Sequence, residues 1–127
     1  MREIKFRFYD KTEKKMRYFN DIWNMPQPDY DFDEIQQYTG LKDKSGKEIY
    51  EGDIVEYKTY RFGKNGKDEK KTQLGEICWI ENGFEVTWIN PIDYVASGYQ
   101  FVESLCREIK VVGNIYENKD LLTTLIK

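Results

Sequence analysis

Histidine is absent from the 127 residues, and that gap removes several chemistries at once. Neither a Ser-His-Asp nor a Cys-His arrangement can be assembled without an imidazole, so the commonest hydrolases are excluded. Cysteine is scarce as well: Cys78 and Cys106 are the only two. A structural zinc site takes about four nitrogen or sulfur ligands, which two thiols cannot supply. Lying in separate apolar-rich segments, they read as small buried hydrophobes in a reducing compartment. Ser45, Ser97 and Ser104 carry no pattern that would pair one with a lysine base, and read as turn or surface residues.

Long apolar runs are also lacking. The longest uncharged apolar runs are only a few residues, against the roughly 20 that a bilayer-spanning helix needs. The opening MREIKFRFYD alternates charge with apolar positions where a signal peptide would carry an unbroken apolar run. The expectation is a cytoplasmic protein with no membrane partner. Nor does one sign of charge dominate: Lys and Arg total 20 against 23 Asp and Glu, a net of −3. Such a surface is well solvated and has no overall pull toward nucleic acid or anionic lipid. Any basic patch must be local.

What the chain has is rings. Hydrophobic content is a lean 39%, but aromatics make up 16%, and each large ring brings much buried area. A chain near this length buries roughly two-thirds of its unfolded surface, enough for one core without staples. The expectation is a single domain over residues 1–127 with no cofactor.

The period-2 alternation of REIKFRFYD puts Ile4, Phe6 and Phe8 on one parity and Lys5, Arg7 and Tyr9 on the other, as in a half-buried strand. After a charged turn at 10–15, Met16 and Tyr18 resume the alternation, so residues 1–20 form a hairpin. Pro26 and Pro28 exclude a helix interior or a central strand, making 21–38 a structured loop, with one helical turn near Phe32–Gln37. From 51 onward GDIVEYKTYRF is strand-forming, KNGKDEKKTQ is a lysine-rich connection, and LGEICWIENGFEVTWI is a hairpin turning at Asn82-Gly83. Ile77, Trp79, Phe84, Val86 and Trp88 supply its core faces. NPIDYVASG is a turn-rich link, followed by strands in YQFVESL and REIKVVGNIY. Leu121, Leu122, Leu125 and Ile126 have helical spacing after Asn118, a suitable N-cap, so 118–127 is a short helix.

TGLKDKSGKEIYEGDIV, residues 39–55, imitates a phosphate-binding loop. A Walker A loop has four residues between its glycines, then Lys with Ser or Thr, then a helix. Here five residues separate Gly40 from Gly46, Glu48 follows Lys47, and the continuation is β-branched and aromatic. The stretch therefore reads as a turn feeding a strand. DKTEKKM at 10–16 echoes DKSGKEI at 43–49, and the shared Asp and hydroxyl residues are turn chemistry. DYDFDE offers Asp29, Asp31 and Asp33 in alternation, but a calcium loop needs Gly at its sixth position and Glu at its twelfth. Glu34 and Gly40 stand there, so it reads as a solvated acidic loop, with three carboxylates along a strand for magnesium as the lesser alternative.

REIKFRFYDKTEKKM, QYTGLKDKSGKEIYEGDIV and VVGNIYEN with the LL that follows resemble the YopX family, small proteins encoded mainly by bacteriophages and prophages. Lys119 stands where many members carry proline. The resemblance implies a mainly β, small antiparallel barrel-like fold, with 39–117 as the barrel-like core, and a phage origin. It implies no activity and transfers no catalytic, cofactor or metal residue.

Two functions follow as expectations. The first is a non-enzymatic phage accessory protein that binds a host or phage protein, or itself, in the host cytoplasm; the 10 tyrosines exceed what one core buries, and Tyr is enriched at interfaces. The second is a nucleic-acid-binding factor. It would use Tyr57, Tyr60, Arg61, Phe62, Lys64, Lys67, Lys70 and Lys71, since basic side chains among aromatic faces suit single strands. Asp68 and Glu69 dilute that charge, and an exposed hairpin tip carries such residues without function, so the first reading is preferred.

Overall fold

The computed structural model describes residues 3–62, 68–80, 83–89, 100–102 and 106–124, with backbone alone at 59–62, 68–71, 100–101 and 122–124. The described residues are mainly β, in two antiparallel sheets. The first has the order β2-β1-β3-β4, from β1 (Phe6–Asp10), β2 (Lys15–Phe19), β3 (Ile35–Lys42) and β4 (Glu48–Tyr50). The second has the order β8-β7-β6-β5-β9 and curls into a half-barrel. Its strands are β5 (Asp53–Phe62), β6 (Asp68–Ile80), β7 (Gly83–Ile89), β8 (Gln100–Phe101) and β9 (Ile109–Asn114). The helix α1 (Lys119–Thr124) follows.

The N-terminal hairpin forms as its alternation predicts, with Phe6 opposite Phe19 and Asp10 opposite Lys15. Its boundary with the following loop needs correction. Ile35–Gln37 is not a helical turn: it pairs with β1, Phe8 opposite Ile35 and Phe6 opposite Gln37. The free edge of β1 offers those residues a ladder, and tertiary pairing overrides weak local preference. The short helical element lies earlier, at Ile22–Asn24, where the Asp21 side chain accepts from the Asn24 amide at 3.0 Å. Residues 39–50 likewise belong to the first sheet and not to the half-barrel.

The core sits on the concave face of the second sheet, where Val55, Ile77, Val86 and Ile109 are fully enclosed, with Ile49 of β4 against them. Each such side chain contributes about 1.5–3 kcal/mol by leaving water. Trp79 departs from the pattern. It shares the parity of Ile77 yet is 53% exposed, because it lies at the hairpin's end, edge-on to Phe84 at 4.8 Å, where the core cluster stops. Gly75 faces Trp88 across the β6–β7 pair. A Cβ there would run into Val86 Cγ1 and sit 3.0 Å from Trp88 Cε3, so the missing side chain lets the indole lie over the sheet.

The loop imitating a phosphate site is a turn between β3 and β4. Asp43 Oδ1 accepts from the Ser45 amide, Ser45 Oγ and the Lys47 amide, while Oδ2 accepts from the Val111 amide at 2.8 Å. Gly46 takes φ of +88°, the left-handed conformation for which glycine carries no Cβ penalty. The echo at 10–16 has the same logic: Asp10 Oδ1 accepts from the Thr12 and Glu13 amides. At the other end, Asn118 precedes α1, and its Oδ1 accepts from the Asn114 amide, backward along the chain.

Candidate functional site

The residues expected to touch nucleic acid fall mainly on a two-stranded ribbon. β9 leaves β5 at Tyr57 and β7 leaves β6 at Leu74, while β5 and β6 stay paired out to Phe62 opposite Asp68. Lys70 and Lys71 are therefore strand residues opposite Tyr60 and Thr59, and not part of a loop. Arg61 is opposite Glu69, so acids occupy the facing register positions. Lys64 and Lys67 lie outside the described residues. Tyr57 leaves this group: it packs against the core, with its ring 5.7 Å from Trp88.

A second feature was not visible in the sequence. Phe6, Phe19, Ile22, Met25 and Ile35 line a groove of about 240 Å³, with Asn20 and Asp21 at its rim. Its apolar side chains face solvent, Ile22 being 71% exposed, Met25 41% and Ile35 39%, and Trp23, next to Ile22 in the chain, is 83% exposed. Phe6 and Phe19 stack at 5.4 Å to form the floor. Ile22 and Trp23 are presented by the short helical turn that Asp21 caps. Isolated exposed apolar residues are ordinary, but a contiguous group marks a contact surface. The available signal was an apolar triplet, Ile22, Trp23 and Met25, inside a segment with neither strand nor helix periodicity.

The third feature joins the sheets. Arg7, on the parity of β1 assigned to solvent, is 3% exposed. Its Nη2 pairs with Asp53 Oδ1 at 2.8 Å and donates to the Glu51 carbonyl, its Nε donates to Gln36 Oε1 at 2.7 Å, and its guanidinium lies over the Tyr50 ring at 4.8 Å. Asp53 Oδ2 accepts from the Tyr50 amide. Burial raises the Asp53 carboxyl above its usual range, against the pull of the Arg7 guanidinium. Burial, aided by the Glu48 charge, pushes the Tyr50 phenol up to about 12. Gln36 Nε2 has no partner, and a Cβ at Gly52 would collide with it. A cleft of about 410 Å³ opens beside this clamp, between β4 and β9.

The acidic loop holds no metal cluster: among the described residues no group of three or more acids and thiols is placed to bind one. Asp33 pairs with Lys11, and the Tyr30 and Phe32 rings pack on Phe8. Cys78 and Cys106 are both half-buried thiols. Burial, with Glu76 beside it, raises the Cys78 thiol to about 11, far from a reactive thiolate. No helix among the described residues is long and apolar enough to cross a membrane.

Comparison with functionally curated proteins returns no match. Among solved structures the chain is similar to protein EF1440 from Enterococcus faecalis, at 27% identity and a TM-score of 0.55, over 94% of this chain and 97% of that one. The turn with its Asp43 knot, strands β3 and β4 of the first sheet, the five-stranded sheet and the start of α1 fall within residues 27–123, the span that matches the family model described as YopX protein, and the chain belongs to that family.

Proposed function

We propose that the protein is a non-enzymatic accessory factor that works by binding another protein through the apolar groove of the first sheet. The observation that carries this reading is the apolar lining of Phe6, Phe19, Ile22, Met25 and Ile35, with Ile22 71% exposed and Trp23, next to it in the chain, 83% exposed. Holding such side chains in water forgoes burial worth about 1.5–3 kcal/mol each, and a partner's surface recovers it. Trp is the residue most enriched where binding energy concentrates. The phage origin implied by the sequence resemblance makes a host or phage protein in the bacterial cytoplasm the partner, with self-association as the variant of the same idea.

The second reading is nucleic-acid binding by the β5–β6 ribbon. It is favoured by one observation, the extension of that ribbon past both neighbouring strands, since a two-stranded ribbon fits the major groove. Glu69 and Asp68, opposite Arg61 and Phe62, weigh against it.

Affinity capture from infected host lysate, with and without nuclease, separates the two. The groove reading expects a partner that survives nuclease and is lost in Trp23→Ser with Ile22→Ser. Capture abolished by nuclease and by Lys70→Glu with Lys71→Glu, but indifferent to the groove changes, would give the ribbon precedence.

A further inference from the structure

We propose that the cleft between β4 and β9 binds a small zwitterion, a free α-amino acid or a very short peptide, with its carboxylate on Arg7 and Lys47 and its ammonium at Glu117. The surface is separate from the apolar groove, and the inference stands whatever that groove binds. At about 410 Å³ the cleft falls in the usual range of small-ligand sites, about 300–1,000 Å³. It is walled by the two sheets and the turn into α1, with Arg7, Asp53 and Asn114 enclosed and Tyr18 60% exposed at the mouth.

The argument rests on which charges are already matched. Asp53 is occupied by Arg7. Glu48 is occupied by Lys5 Nζ at 2.5 Å. Lys47 has no ion pair among the described residues, and its charge reaches Asp53. Glu117 gives only one oxygen to a neutral partner, accepting from Asn114 Nδ2 at 2.8 Å. One cation and one anion are thus left over in the same cleft. Arg7 adds donors: the contacts of the clamp use Nε and Nη2, leaving Nη1 for a ligand.

The clamp itself points the same way. A buried ion pair contributes little net stability compared with well-packed apolar groups of the same volume, so enclosing Arg7 is a poor way to hold two sheets together. It is a good way to fix a guanidinium rigidly beside a cavity, where a carboxylate gains charge-assisted hydrogen bonds. The neighbouring Asn118 side chain is held by the Asn114 amide, so that wall is set in advance.

The test titrates L-alanine, L-alanyl-L-alanine, acetate and methylammonium, each at millimolar concentration, into the isotope-labelled full chain and follows the amides of Val112, Gly113 and Asn118. At least one of the two zwitterions should shift them saturably, and the stronger of the two identifies the source as free amino acid or peptide. Acetate and methylammonium should bind about tenfold more weakly or less, since each lacks one charge-assisted bond. Lys47→Gln and Glu117→Gln, both at exposed positions, should each weaken the zwitterion by about tenfold. No saturable response to either zwitterion overturns the proposal, as does acetate binding equally well or both variants binding like the parent.

Discussion

Lys14 has φ of 55°, a left-handed conformation that costs a residue with a Cβ about 1 kcal/mol relative to glycine. Lys14→Gly should raise stability by up to about 1 kcal/mol, read as a higher urea midpoint at unchanged slope. The echo between 10–16 and 43–49 was legible as turn chemistry, and both Asp residues accept from turn amides. Its alignment misleads on one point, because Gly46 aligns with Glu13 whereas the strained residue is Lys14. Asp43 gives a second test. Burial alone would raise its carboxyl, but hydrogen bonds from Val111, Lys47 and Ser45 bring it below the ordinary 3.8. Its folded value being the lower one, its stabilising contribution is complete above the unfolded value and fades as pH falls through the folded one. The stability difference between wild type and Asp43→Asn should therefore be constant near neutrality and shrink below about pH 4.

The same scale shows why Arg7 was misread. Alternation assigns it to solvent, and a strand in one sheet does put that parity outward; here a second sheet covers it. Nothing in a single strand's pattern says whether its other face is covered. Arg7→Met alone should cost about 3–5 kcal/mol, because Asp53 is left charged and unpaired. Arg7→Met with Asp53→Asn should recover part of that loss in equilibrium unfolding.

At the level of elements, strand existence was readable from alternation and the Asn-Gly signal, and strand partners were not. β3 joins β1 across the acidic and proline-containing segment, a long-range choice that local propensity does not encode. Glycines likewise show their meaning only in three dimensions. Gly75→Ala would press on Val86 and Trp88 and should destabilise by about 1–3 kcal/mol, with a change in tryptophan emission as Trp88 shifts. Gly113 is similar, for a Cβ there would lie 2.5 Å from Asn118 Oδ1. Asn118 was recognised as a helix-start residue, but its side chain serves the preceding turn.

For the molecule as a whole, the mainly β architecture was legible and its division was not. The sequence suggested one barrel-like body after a hairpin, and the strands of the described residues instead divide four and five between two sheets. The cleft is assembled from residues far apart in the chain, from Arg7 to Asn118, whereas the groove draws on residues 6–35 and takes shape only once β1 pairs with β2 and β3. The division also predicts a gradient of protection. Amides of Val55 and Ile77, inside the five-stranded sheet, should exchange with solvent far more slowly than those of 58–62, where β5 has lost its β9 neighbour. Uniform protection along β5, measured by native-state hydrogen exchange, would show that something else covers the ribbon.

The Asp43 carboxylate accepts from the Val111 amide, and the Lys44 amide donates to the Ile109 carbonyl. Those are the outward groups of β9, the last strand on that side of the half-barrel. A five-residue bend thus works as a stopper against polymerisation, denying copies of the chain a bare rung on which to stack. Lengthening that bend should leave most of the fold standing and yet raise the chain's tendency to form fibrils, read as faster thioflavin binding than the parent.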